Sequence, residues 1–490
     1  MECTAVVRLS GEVSTKARAT RRAFVTRLVR NAKDALRSED LPTEIERSHE
    51  RLYVPLPDAS GADVLARIFG VQSVAIATRT DFADLEDLVA RANEHFREAV
   101  RGHTFAVRAR LIGGEKPGFR VRDIERELGS ALLPVATRVD LSRPEVTARI
   151  EVHQGVAHLI GAERPGPAGL PLGVEGRALA LVSGGFDSAV AAWQMLRRGV
   201  NLDYLFCNLG GRSHELGVLR VMQQVARRWS YGVRPRLHAV DFDPVVRAIR
   251  GSAEPRLWQI VLKREMLRAA ERVAREIGAE AIITGDAVGQ VSSQTLTNLA
   301  VISEATRVPI LRPLVGANKD EIVQQAHAIG TGPLSAVVAE YCAIVPRKPA
   351  TAAKQSHVDA AEVGLDPATL DAVLRSREVL DLREIDADTR LYPELEISEL
   401  PEGAIPLDLR SRPEFDAWHA PEALHLEFGA ALGAYPSFAK DATYVLYCEY
   451  GLKSAHLAEL MREAGLRAHH FRGGTRALRR WLEAHPGGAG

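Results

Sequence analysis

No apolar stretch in the 490 residues approaches the roughly 20 that a membrane span needs. The start, Met1-Glu2-Cys3-Thr4, lacks the basic segment and apolar core of a signal peptide. Together these absences predict a cytoplasmic protein with no membrane partner. Net charge is also missing, because 63 basic residues balance 63 acidic ones. Composition therefore announces no polyanion partner, although a local basic face stays open. Cysteine is scarce: Cys3, Cys207, Cys342 and Cys448 are far apart, with no C-x-x-C pair. A disulfide framework and structural zinc both find little support in this spacing. The sequence also has no Walker lysine loop, no G-x-G-x-x-G and no repeat of fixed period.

What is present is punctuated into four regions. Residues 1–60 open on a strand-like run, Ala5 to Leu9. A basic amphipathic segment follows, Arg18 to Arg37, with Phe24, Leu28, Val29 and Leu36 as its apolar members. Residues 61–165 combine a helical stretch (Asp84 to Val100) with alternating strands (Thr104 to Leu111, Glu145 to Val152) and clustered arginines. The Pro- and Gly-rich run Glu163 to Pro171 reads as a linker. Residues 172–345 alternate strand runs (178–182, 202–208, 235–241, 281–284) with helical runs (189–198, 214–228, 257–277, 318–328). That order predicts a doubly wound parallel sheet, with ligands at the carboxyl ends of its strands. Residues 346–403 are polar and rich in Pro and charge. They are expected to be a linker with one helix, Pro367 to Val379. Residues 404–490 return to strand and helix signals, and the tail Pro486 to Gly490 is expected to fray.

Two strand-to-helix turns carry chemistry. The first is Ser183-Gly184-Gly185-Phe186-Asp187-Ser188, after the apolar run Ala178 to Val182 and before a helix. Its glycines let backbone approach a ligand, and Ser188 can cap the helix. Free N–H groups with a helix dipole behind them favour phosphate. S-G-G-x-D-S after a strand resembles the PP-loop of ATP pyrophosphatases. The second turn places Cys448 after Tyr444-Val445-Leu446-Tyr447 and before a helix at Ala455 to Ala464. The N–H groups there stabilise an anionic sulfur or a persulfide. Cys207, in Tyr204-Leu205-Phe206-Cys207, reads as core, and Cys3 as incidental.

Further segments join the first turn. They are Thr284-Gly285-Asp286, Gly289-Gln290-Val291-Ser292-Ser293-Gln294-Thr295-Leu296, Lys263 on the preceding helix, Pro309-Ile310-Leu311-Arg312-Pro313-Leu314, and Asn318-Lys319. Lys319 opens a helix, where a cation opposes the dipole, so a functional reason for it is expected. With the lone Cys342, these segments resemble the tRNA 4-thiouridine synthetases (tRNA uracil 4-sulfurtransferases), in the form with a C-terminal rhodanese domain. Asp408-Leu409-Arg410-Ser411-Arg412-Pro413-Glu414-Phe415 and His419 to Ala423 resemble the opening motifs of rhodaneses.

The resemblance implies an α/β multidomain fold. It comprises a ferredoxin-like N-terminal domain, a THUMP RNA-binding domain, a doubly wound PP-loop ATP pyrophosphatase domain and an α/β rhodanese domain. It implies that Leu181, Val182, Lys263, Gly285 and Gln294 contact ATP, while Ser183, Gly184, Gly185 and Ser188 hold phosphate. Asp187 and Lys319 would assist activation, and Mg2+ would come with ATP with no metal site assigned in the protein. Cys448 would carry the persulfide and Cys342 would resolve it. The implied activity is ATP-dependent thiolation of a tRNA uridine, expected at position 8. The implied partners are tRNA, a cysteine desulfurase, a small sulfur-carrier protein for thiazole synthesis, and a second copy in a homodimer. One departure bears on the donor. Thiosulfate-type rhodaneses commonly carry arginine beside the cysteine and at the loop's end, where Glu449 and Ser454 stand here, so a protein persulfide suits the loop better. Two alternatives stay open: an RNA-binding protein with a decayed ATP site, and a PP-loop enzyme acting on another acceptor.

Overall fold

The structure is a computed structural model that describes residues 3–48, 51–112, 118–153, 155–336, 338, 348–385, 395–449 and 451–485. Cys342 and the tail 486–490 therefore lie outside the described residues. The chain divides into two compact units. The first holds residues 1–175 with the short segments 196–201 and 228–233, and the second holds the rest. Among the described residues no helix is long and apolar enough to cross a membrane.

The first unit is built on one eight-stranded sheet. Its strands are β1 (Cys3–Leu9), β2 (Glu46–Arg47), β3 (Arg51–Leu56), β4 (Val71–Asp81), β5 (Thr104–Leu111), β6 (Arg138–Val139), β7 (Val146–His153) and β8 (Val156–Pro165). They lie in the order β2-β3-β1-β4-β8-β7-β5-β6. Alternation along each strand sends apolar side chains to one face. Helix Arg18–Arg37 covers half of that face, and its expected apolar members Phe24, Leu28, Val29 and Leu36 pack on Ala5, Val7, Leu52 and Val54. Helices Leu85–Val100 and Val121–Leu132 cover the other half. They bury Leu88, Phe96, Ile124 and Leu128 on Phe105, Val107, Ile150 and Val152. The opposite face carries buried charge, with Glu151 accepting from Arg51 at 3.3 Å and Arg8 at 3.4 Å.

Strand β4 is central. It pairs with β1 on one edge (Thr4↔Ala77, Val7↔Val74) and with β8 on the other, from Ser73↔Pro165 to Asp81↔Val156. The Pro- and Gly-rich run expected as a linker is thus ordered, since Glu163, Arg164 and Pro165 end β8. Beyond them, the amides of Gly166 and Ala168 donate to the carbonyls of Gln72 and Val71, each at 2.9 Å. A Cβ at Gly166 would stand 2.3 Å from the Val71 carbonyl oxygen, so only glycine fits there.

The second unit holds two sheets. The larger comprises β9 (Arg177–Leu181), β10 (Asn201–Asn208), β11 (Arg236–Asp241), β12 (Ala281–Ile283), β13 (Ile310–Leu311) and β14 (Glu378–Asp381), in the order β13-β12-β9-β10-β11-β14. Strand β10 runs parallel to β11, and β12 runs parallel to both β9 and β13. From β9 the chain first builds outward to β11, then returns to place β12 on the other side of β9. The strand order reverses there, and the carboxyl ends of β9 and β12 open a crevice. The smaller sheet, in the order β15-β19-β18-β16-β17, is parallel in every pair: β15 (Glu396–Ile397), β16 (Ile405–Asp408), β17 (Leu424–His425), β18 (Thr443–Tyr447), β19 (Arg467–Phe471).

Part of the stretch 346–403, expected as a linker, is folded. Helices Gln355–Glu362 and Pro367–Arg375 place Val358, Leu370, Val373 and Leu374 in the core of the larger sheet. The helix expected to reach Val379 stops at Arg375. Residues Glu378–Asp381 then form β14, antiparallel to β11. Asn298 is fully buried and holds this segment in place. Its amide donates to the carbonyls of Ser292 and Ala350, both at 2.8 Å, and its oxygen accepts from Ala353 N–H at 3.0 Å. Replacing Asn298 by Ala strands those buried groups, and each orphan costs about 1–3 kcal/mol. The expected outcome is a lower thermal midpoint for this domain, read by calorimetry, with the transition of the first unit unmoved.

Candidate active site

The carboxyl ends of β9 and β12 line a cavity of ≈ 370 Å³. Ser183, Gly185, Asp187 and Ser188 form one wall and Thr284, Gly285, Asp286 and Gln294 face them. Leu181, Val182 and Lys263 also line it, and Phe206, Leu209, Leu262, Met266 and Ile302 make its apolar end.

Glycine shapes the loop at three points. Gly184 has φ +78°, and a Cβ on it would press within 3.1 Å of Val218 and Val338. It turns the chain and is not itself among the lining residues. Gly185 is open on the cavity side, with only the Ser183 hydroxyl within reach of an added Cβ. Gly285, from the opposite strand, is the tightest of the three. A Cβ there would stand 2.9 Å from the Asp187 carbonyl carbon and 3.0 Å from the Ser188 nitrogen. The two loops touch backbone to backbone. Ser188 lies inside helix Phe186–Arg197, and its hydroxyl spans the loop instead of capping a free helix end. It accepts from Ser183 N–H at 3.3 Å and donates to the Gly185 carbonyl at 3.2 Å.

Two carboxylates anchor the polar end. Asp187 receives Lys319 Nζ on both oxygens at 2.9 Å and Gln290 Nε2 at 3.0 Å. Lys319 is the first residue of helix Lys319–Ile329, and its charge also lies 5.8 Å from the Phe186 ring. The ion pair accounts for a cation placed against the helix dipole. Asp286 is nearly buried and takes four side-chain donors. Lys263 Nζ (2.9 Å) and Gln294 Nε2 (3.2 Å) reach Oδ1, while Thr284 Oγ1 (2.7 Å) and Arg312 Nε (3.4 Å) reach Oδ2. Burial pushes this carboxyl up, but Lys263, Thr284 and Arg312 outweigh it and hold the group at about 2. His214 also lines the cavity beside the Ser183 carbonyl, 3.4 Å from Nε2. Burial lowers it to about 4, so it is neutral near pH 7.

Cys448 directly follows β18 of the smaller sheet and is buried. Its Sγ lies 3.5 Å from Ser454 Oγ, which in turn donates to the Gly451 carbonyl at 3.1 Å. Gly451 has φ +80° and precedes helix Leu452–Glu463. Thr475 N–H donates to the Cys448 carbonyl at 3.0 Å. A Cβ on Gly474 would fall 2.3 Å from that same oxygen, so the start of helix Gly474–Ala484 clamps the loop through a glycine. Upstream, Asp408 is fully buried and bound to Arg410, whose Nη2 also donates to the Trp418 carbonyl.

Comparison with known proteins follows the same division. The sequence matches the ThiI ferredoxin-like domain over residues 4–75, the THUMP domain over 79–160, the Thiamine biosynthesis protein (ThiI) family over 173–366 and the rhodanese-like domain over 396–480. A tRNA sulfurtransferase of Pyrobaculum aerophilum is 37% identical over 94% of this chain and 95% of that protein. One from Aeromonas salmonicida is 34% identical over 94% and 98%. The chain belongs to the ThiI family of tRNA sulfurtransferases. Among solved structures, a 4-thiouridine synthetase in complex with RNA and bound ATP superposes with TM-score 0.69 at 29% identity, over 78% of this chain and 99% of that one.

Within this ThiI-family fold the cavity gathers Leu181, Val182, Ser183, Gly185, Asp187, Ser188, Lys263, Gly285 and Gln294. Gly184 belongs to the same loop without lining the cavity, and Lys319 joins through Asp187. Cys448 belongs to the other sheet of the same unit and is not among the lining residues. Cys342 lies outside the described residues. Cys207 sits in the core, as its apolar strand predicts, with one side on the cavity and its thiol pushed up by burial. Sequence reasoning passed over Asp286, Arg312, Gln290 and His214 as site residues. Asp286, Arg312 and Gln290 stand inside segments already singled out, but the partners that give them meaning come from other strands. His214 carried no local signal.

Two outcomes test the geometry. Gly285→Ala drives a Cβ into the Asp187–Ser188 backbone. It should abolish nucleotide binding, read by calorimetry, while leaving the first unit's unfolding unchanged. Asp286 is held below the ordinary 3.8, so its contribution to stability is complete above that pH and is lost as pH falls through about 2. The stability gap between the native chain and Asp286→Asn should therefore shrink between pH 4 and pH 2, followed by urea unfolding.

Proposed function

We propose that this chain makes 4-thiouridine in tRNA, using ATP at the Ser183–Ser188 cavity and sulfur carried on Cys448. The observation that carries the reading is the pairing, in one unit, of an S-G-G-F-D-S cavity with a cysteine loop at a strand end. Either alone fits many chemistries. Together they supply an activated acceptor and a sulfur nucleophile. The likeness to the ATP- and RNA-bound 4-thiouridine synthetase supports the choice of ATP and RNA.

In this reading the base of ATP enters the apolar end beside Phe206, Leu262 and Ile302. The main chain at Leu181 and Val182, with Gln294 and Gly285, fixes the nucleoside. The loop residues Ser183, Gly185 and Ser188, which line the cavity, face the phosphates, with Lys263 beside them. Mg2+ would be held between the nucleotide phosphates and Asp187, and would supply charge neutralisation for the leaving pyrophosphate. Uridine O4 attacks the α-phosphorus and pyrophosphate leaves, turning a poor leaving group into AMP. Lys319 and the loop amides stabilise the charge that develops. The terminal sulfur of the Cys448 persulfide then attacks ring carbon 4, and AMP departs. Transfer of that sulfur, with attack of the Cys342 thiol on Cys448, gives the thiocarbonyl and a Cys342–Cys448 disulfide, reduced afterwards by an external thiol. Cys342 follows Val338, a cavity-lining residue, by four positions in the sequence.

Ser454 at the end of the sulfur loop, where an arginine would serve thiosulfate, favours a cysteine desulfurase as donor. The arginine-bearing first unit would hold RNA by shape and phosphate contacts. A homodimer would let RNA bound to one copy react on the other. A second acceptor, a small sulfur-carrier protein for thiazole synthesis, is supported by the family description Thiamine biosynthesis protein.

Mass analysis of tRNA nucleosides tests the main reading. Cells or reactions with the native chain should contain 4-thiouridine, and Cys448→Ala should contain none. Asp187→Asn should lower tRNA-dependent pyrophosphate release by about a hundredfold. No 4-thiouridine difference with and without the chain would defeat the proposal. Loss of thiamine synthesis together with 4-thiouridine in Cys448→Ala would support the shared sulfur route.

A further inference from the structure

Among the described residues, the formally charged side chains lining the cavity are Asp187, Asp286 and Lys263. Two carboxylates against one ammonium make a poor site for a polyphosphate. Two cations outside the lining change the balance. Lys319 reaches Asp187, and Arg312 reaches Asp286 from the far side. With both counted, the cluster carries one net positive charge. Lys319 was singled out from the sequence, but nothing so far gives Arg312 a task.

Its placement is specific. Arg312 is the residue after β13, and its side chain is largely buried. Its Nη2 donates to Ser303 Oγ at 2.9 Å, and Ser303 Oγ donates to the Leu299 carbonyl at 2.6 Å. Its Nε is thereby directed at Asp286 Oδ2, while Lys263 takes Oδ1 from the cavity side. If Lys263 were the sole cation on Asp286, turning it toward a ligand would leave a buried carboxylate with only neutral donors, which is costly. Arg312 removes that obstacle, because Asp286 keeps one cation whichever way Lys263 points.

We infer that Arg312 is a positioning residue of the nucleotide site: it holds the Asp286 charge so that the Lys263 ammonium is free to meet a phosphate. The inference rests on the proposal that ATP occupies this cavity, and it deepens it. The Asp286–Arg312 pair is a fixed counter-charge, and Lys263 is the movable member. Arg312 itself touches no ligand in this scheme.

Calorimetric titration of the full-length chain with ATP and with adenosine tests it, using Arg312→Gln, Arg312→Lys, Lys263→Met and the double variant Arg312→Gln/Lys263→Met. Arg312→Gln should weaken ATP about tenfold or more and leave adenosine within about twofold. Arg312→Lys, which keeps the charge, should retain ATP affinity within about threefold. Lys263→Met should cost much less affinity in the Arg312→Gln background than in the native chain, because the two act as one unit. Additive effects, unchanged ATP affinity in Arg312→Gln, or equal losses for ATP and adenosine would each overturn the inference. If Arg312→Gln fails to fold, loss of ATP affinity well beyond about threefold in Arg312→Lys, which keeps the charge, would do the same. Failure of the native chain to bind ATP is a different result: it removes the nucleotide reading, and this inference with it.

Discussion

The site depends on one close approach, the contact between Gly285 and the Asp187–Ser188 backbone. Strands β9 and β12 are neighbours in a sheet whose order reverses at β9, so their carboxyl ends diverge into a crevice. A crevice alone does not make a cavity. The glycine lets the loop after β12 close against the loop after β9, and that closure brings Gln290 to Asp187. The Gln290–Asp187 hydrogen bond, which joins the two loops, presupposes that spacing. A side chain at position 285 would force the two walls apart and strain the Gln290–Asp187 link, even with each charged residue still present.

The second unit places its two chemical loops on two different sheets, yet one helix touches both neighbourhoods. Helix Gly211–Trp229 carries His214 to the Ser183 carbonyl and Val218 to Gly184. At its first residue, the Glu459 carboxylate lies 3.3 Å from where a Gly211 Cβ would be. Glu459 belongs to helix Leu452–Glu463, which begins just after the Cys448 loop. The sulfur loop itself is closed by its own devices: Ser454 beside the sulfur, left-handed Gly451, and Gly474 on the Cys448 carbonyl. Burial of Cys448 and the glycine-rich closure keep the thiol from casual contact with solvent.

Local rules made much of this legible. The loop Ser183 to Ser188 and the cysteine turn both showed through strand, glycine and helix signals within a few residues. The core face of helix Arg18–Arg37 was readable because Phe24, Leu28, Val29 and Leu36 recur at helical spacing. Asp286 and Arg312 were harder. They are 26 positions apart and acquire roles only when β12 and β13 lie side by side, a tertiary fact with no short-range trace. Residues 355–381 were obscured by composition. Their polar and Pro-rich character reads as a linker, whereas four well-spaced apolar residues, Val358, Leu370, Val373 and Leu374, suffice to dock them on the larger sheet. At Ser188 the capping rule gave the right residue type and the wrong partner, since the hydroxyl bonds back across the loop.

The place of β4 in the first unit has a further consequence. The ferredoxin-like match ends at residue 75 and the THUMP match begins at 79, both inside the strand Val71–Asp81. The seam between two sequence families thus runs through the middle of one hydrogen-bonded strand. Its first half pairs with β1 and β8 at once, and its second half continues along β8. The two matched modules are thereby one hydrogen-bonded piece. Shuffling, trimming or grafting at the family boundary would leave each part with a torn sheet edge, so recombination that preserves this unit has to carry both modules together.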